Sequence, residues 1–144
     1  AGDASFIETA IGGAKHLETI AIAHHGGVTW PHTERSPLVQ HGFMMGGASV
    51  GHGLLRLYRV TRDRSYLSLA EAAGRALVAS AEHPSPGMAR WPVLVEPVHP
   101  MLAPDQAVKV SWWDGTAGIG MFLLELHEFS RGIDPPSRFS PSNP

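Results

Sequence analysis

A glycine-rich turn running into a leucine-rich helix occurs twice in this chain. Gly46-Gly47-Ala48-Ser49-Val50-Gly51-His52-Gly53-Leu54-Leu55-Arg56-Leu57 aligns with Gly115 to Leu126 at an offset of 69 (115 minus 46). Gly46, Ala48, Gly51, Leu54, Leu55 and Leu57 recur identically, and Val50 becomes Ile119. A duplication of this kind restricts the fold to repeated units. Each unit must bury its apolar face on a neighbour.

The duplication extends beyond the turn. Trp30-Pro31 returns as Trp91-Pro92 at an offset of 61 (91 minus 30). Phe6, Ala10 and Leu17 return as Tyr66, Ala70 and Leu77 at an offset of 60 (66 minus 6). Apolar residues at helical spacing predict four helices, over 5–23, 47–61, 64–82 and 116–131. Ser5 with Glu8 reads as a capping box for the first helix, and His24-His25-Gly26-Gly27 as its stop. In the last helix Leu123, Leu126 and Phe129 share one side, widened by Phe122 and Leu124. His83-Pro84-Ser85-Pro86-Gly87 ends the third helix, and 93–110 is a long connection in which Pro92 and Pro97 leave little room for a strand. The expected class is therefore all-α, two consecutive αα-hairpin repeats, 5–61 and 64–131, with a Pro/Ser-rich tail over 133–144.

Composition narrows the function classes. With 144 residues the chain suffices for one modest core. A formal net charge of −2 gives no basic footprint for nucleic acid. No apolar run approaches the roughly 18 residues of a membrane span, and no leader peptide is visible at the start. The chain lacks an initiator Met, and the expectation is a piece of a longer, cytoplasmic protein. Cys is absent, so neither a disulfide nor a thiolate-ligated metal can form.

Gly-x-Ala-Gly-Ile-Gly leading to Phe-Leu-Leu-x-Leu, Thr61-Arg62-Asp63 leading to Tyr66-Leu67-x-Leu69-Ala70, and the paired Trp-Pro loops together resemble lanthionine synthetase C-like proteins. The resemblance covers about residues 5–130. It implies an (α/α) toroid whose inner helices begin at the glycine turns, of which this chain, a partial domain over 1–132, would be the C-terminal part. It also implies a peptide substrate and carbon–sulfur bond formation. Family cyclases use a zinc ion held by two Cys and one His, which turns a peptide thiol into the reactive thiolate. The slots before the glycines hold Met44-Met45 and Trp113-Asp114 instead. The zinc site therefore does not carry over onto this chain, and no cofactor or metal is expected in it: either the ring has lost the metal, as in the zinc-free, kinase-fused relatives, or units outside this chain hold a different site, or the resemblance is to the scaffold alone.

The candidate site follows from the turns. Asp114, one residue before Gly115 at a helix N-terminus, is the candidate general base, and His41 its proton-handling companion. Trp112 and Trp113 are the candidate aromatic wall for substrate, with His52 beside them. Each has a plainer reading: a turn acid, a packed imidazole, a core indole. Met44-Met45 reads as space-filling. The partners expected are a peptide, the remaining repeats of a larger protein, or a second copy. Two further functions stay open. One is a non-catalytic scaffold. The other is a sugar-active toroid, which needs two carboxylates facing one cavity.

Overall fold

A computed structural model describes residues 3–92 and 108–133. The described elements run α1 (Ala4–Thr19), β1 (Ile22–His24), β2 (Gly27–Thr29), β3 (Pro31–Thr33), β4 (Ser36–Val39), α2 (Gly47–Thr61), α3 (Arg64–Ala79) and α4 (Thr116–Ser130). The class is thus mixed, four helices with two small antiparallel sheets, β1–β2 and β3–β4. This corrects the all-α toroid of αα-hairpins. The connection between α1 and α2 is pleated, carrying both sheets, and the described part of the connection between α3 and α4 carries two isolated antiparallel bridges.

The correction has a local cause. The first helix stops at Thr19 rather than residue 23, and Ile22, Ala23 and His24 pair with Thr29, Val28 and Gly27. The loop between them is His25-Gly26, both left-handed at φ 45° and 76°. Two residues with positive φ make the tight turn whose twist suits a hairpin. Gly26 thus reverses a strand instead of ending a helix. Gly27 lies flat on α3, where a Cβ would run into the Ala72 carbonyl. Strands of three or four residues are too short to show alternation, so the pattern of periods missed them.

Capping also departs from the sequence reading. Asp3, not Ser5, caps α1, its Oδ1 accepting from Ser5 N–H at 2.9 Å. Asp63 caps α3 in the same way, accepting from Ser65 N–H at 2.9 Å. The positions differ by 60, the offset of the helices themselves. Hydrogen bonding from the Ser5 side chain and backbone holds the Asp3 carboxyl below the ordinary Asp range, and the Ser65 backbone and side chain do the same for Asp63.

The two copies share further bonds. Trp30 Nε1–H donates to Leu17 O and Trp91 Nε1–H to Leu77 O, each at 2.7 Å. Each indole thereby donates to a carbonyl at the C-terminal end of a helix, where carbonyls run short of intrahelical partners; the Leu77 carbonyl also accepts from the Ser80 N–H at 3.2 Å. Antiparallel pairing precedes both Trp: the β1–β2 hairpin before Trp30, and an isolated bridge between Glu82 and Arg90 before Trp91. Pro31 then pairs with Val39, and Pro92 with Val108.

The core sits where α2, α3 and α4 meet. Leu54, Leu55, Ala70, Leu77, Ile119 and Phe122 are each 2% exposed or less. No helix among the described residues is long and apolar enough to cross a membrane. The expected strand-poor stretch 93–107 and the tail beyond 133 lie outside the described residues.

Candidate functional site

The two glycine turns are built alike. Gly47 N–H donates to Gln40 O and Thr116 N–H to Lys109 O, each at 3.0 Å, closing each loop onto its helix. Gly46 and Gly115 are extended N-caps, a backbone any residue adopts. Glycine is required there for room. A Cβ at either would fall on the carbonyl of Gln40 or Lys109. The repeated glycine is therefore a local closure device.

The turns also lock onto each other. Met44 N–H donates to Trp113 O at 2.6 Å. A Cβ on Gly42 would stand 2.7 Å from Asp114 Cα, and one on Gly118 would stand 2.7 Å from Phe43 Cβ. Phe43 sits between, its ring 5.1 Å from Trp112 and 5.1 Å from His52.

Beneath this junction Asp114 and His41 line one small cavity with Gln40, Gly42, Trp91 and Pro92. Its volume is about 10 Å³, room for roughly one water. Asp114 Oδ2 accepts from Lys109 Nζ at 3.0 Å, while Oδ1 is buried with no hydrogen-bond partner among the described residues. His41 is half-buried, its ring 6.3 Å from His24, which in turn stacks edge-on against His25 at 4.2 Å. Burial first, then the charges of His24 and His25, push the His41 pKa below its ordinary 6.5. His41 is therefore neutral near pH 7, with a ring nitrogen free of a proton.

The remaining candidates stand elsewhere. Trp112 and Trp113 do not line that cavity. They face outward, 45% and 59% exposed. Met44, Met45 and Val110 on the same two loops are exposed as well, at 55%, 45% and 78%. The methionines read as space-filling are part of a surface patch instead. His52 belongs to the junction of α2 and α4, where its Nδ1 is hydrogen-bonded to Glu125 Oε2. That places it in packing rather than on a substrate wall. Lys109 was not foreseen. Its position five residues before Asp114, across a tight glycine turn, was the available signal.

Among the described residues no three His, Asp or Glu side chains are arranged to hold a metal. The donor set does not fit the family's zinc, because thioether, indole and a single carboxylate occupy the ligand slots. Among the described residues Asp114 is the one carboxylate lining the cavity, whereas glycoside hydrolysis uses two. No protein-family model, curated protein or solved structure matches this chain.

Proposed function

We propose that this chain is a peptide-holding module of the lanthionine synthetase C-like kind, working without zinc in the cytoplasm. The observation that carries the reading is the outward patch of Met44, Met45, Val110, Trp112 and Trp113 on two interlocked loops. Exposed aromatic and thioether side chains grouped on a rigid base suit an apolar peptide segment. Soluble chains seldom leave such a group uncovered without use. The backbone bond from Met44 to Trp113 fixes the two halves of the patch against each other.

The proton chemistry is a finer part of the same reading. Addition of a peptide thiol to a dehydroamino acid forms one S–Cβ bond. The thiol loses its proton, the double-bond electrons move to Cα, and Cα takes up a proton. The cavity has room for about one water and not for a thiol, so a neutral His41 accepts the first proton through that water, with Asp114 and Lys109 beside it. The thiol belongs to the peptide, since the chain has no Cys.

The test uses a synthetic apolar peptide carrying dehydroalanine and a downstream Cys. Binding should quench the exposed Trp112 and Trp113, and Trp112→Ala or Trp113→Ala should weaken it about tenfold, as for loss of an aromatic anchor. Cyclisation leaves the mass unchanged, so it is read as loss of the alkylatable thiol. His41→Asn should slow that loss without changing affinity. Absence of binding ends the whole reading. Binding with thiol loss no faster than in buffer ends the catalytic part and leaves the holding role.

A further inference from the structure

The second repeat shows what its cleft is made to receive. There α2 lies in the angle between α3 and α4. Gly51 accepts the Phe122 ring so closely that a Cβ would overlap it. Tyr58 meets Phe129 edge-on at 6.0 Å, His52 bonds Glu125, and Gly47 borders Leu77. With α2 in place, Ala70, Ala73, Ile119 and Phe122 are 1% exposed or less, and Phe129 is 6%.

The first repeat has the same cleft without an occupant among the described residues. The matching positions on α1 are Ala10 and Gly13, and on α2 they are Val50, Gly53 and Val60. All five line an open apolar groove of about 510 Å³. Val60, the counterpart of Phe129, is 69% exposed. Phe6 on α1, the counterpart of the half-buried Tyr66, is 75% exposed.

The opposite end carries the complementary surface. Gly51, Leu55 and Tyr58 of α2 correspond to Gly120, Leu124 and His127 of α4. Leu55 is fully buried, whereas Leu124 is 55% exposed. A Cβ on Gly120 meets nothing within 4 Å. The chain thus presents an unfilled cleft at one end and an unseated helix face at the other. Each matches one half of a joint already formed inside it.

We propose that α4 of one copy seats in the α1–α2 groove of a second copy, head to tail, repeating the joint that α2 makes with α3 and α4. Such a contact uses different surfaces on the two partners, so it propagates into rings or open chains instead of stopping at a two-fold dimer. The inference is independent of the peptide reading, since it uses helix faces and not the loop patch.

Light scattering after size exclusion, over a wide dilution series of the chain, tests it. The mass should climb past the dimer with concentration. Gly53→Glu blocks the groove, and Leu124→Glu blocks the α4 face. Gly53 is exposed with open space at its Cβ and Leu124 is exposed, so neither substitution disturbs the core, which circular dichroism checks. Each variant alone should be monomeric. Mixed in equal amounts they should form a dimer and go no further, because one intact groove meets one intact helix. A wild-type chain that stays monomeric overturns the proposal. So does self-association of either variant alone, which would mark a two-fold joint, and so does a mixture that remains monomeric.

Discussion

The two repeats have nearly the same local structure and very different surroundings. Gly47 and Thr116 close their loops with the same bond, Asp3 and Asp63 cap their helices with the same bond, and Trp30 and Trp91 anchor to equivalent carbonyls. Yet Leu55 is fully buried while Leu124 is half out, and Phe129 is buried while Val60 is exposed. Short-range geometry follows the residues and is copied with them. Burial follows the neighbours, and only the cleft of the second repeat has its helix in place among the described residues.

The largest effect should separate matching positions in the two clefts. Phe129→Ala removes a ring packed against Tyr58 and should cost about 3–5 kcal/mol in urea unfolding. Val60→Ala, its counterpart, should stay within about 0.5 kcal/mol. Equal losses would mean that the first groove is already filled in solution, so the measurement belongs at low concentration.

Gly51→Ala pushes a methyl into the Phe122 ring and should cost about 1–3 kcal/mol. Gly120→Ala, the identical residue one repeat later, meets open space and should stabilise by up to about 1 kcal/mol. Opposite signs at equivalent glycines would be the sharpest expression of the difference; the same sign would erase it.

Where the copies agree, the effects should agree. Trp30→Phe and Trp91→Phe each leave a helix carbonyl without its indole donor and should cost about 1–3 kcal/mol, the deeper Trp91 bond more. Thermal unfolding of the two variants side by side measures this.

The smallest effect is acid sensitivity. The folded pKa of His41 lies below 6.5, so the unfolded chain binds a proton there first. The associated stability is complete above about pH 6.5 and is lost as pH falls through the folded value. His41→Asn should remove part of that loss, and chemical unfolding at a series of pH values should show a shallower decline below 6.5. The second repeat has Val110 at this position and supplies no such titration.

How much of this was legible beforehand varies with range along the chain. The spans of α2 and α4 were read within a residue or so, because each begins at a glycine turn and carries a 3.6-residue apolar pattern. The hairpin at His25-Gly26 was not, because His at positive φ is a weak signal and three-residue strands carry no period. For the site, Asp114 and His41 come together at one cavity, which their separation of 73 positions (114 minus 41) does not reveal. Trp112, Trp113, Met44 and Met45 could be noticed in the sequence, but not which way they faced.

Residue order alone determined that the chain is a duplicated unit and where its helices begin, because caps, glycine closures and apolar periods act over a few positions. Only the tertiary structure decided that the connection between α1 and α2 is pleated, that the two turns interlock, and which copy of each leucine is covered. Those outcomes depend on backbone groups and helix faces brought together from distant parts of the chain. Two stretches with the same local pattern can meet different neighbours.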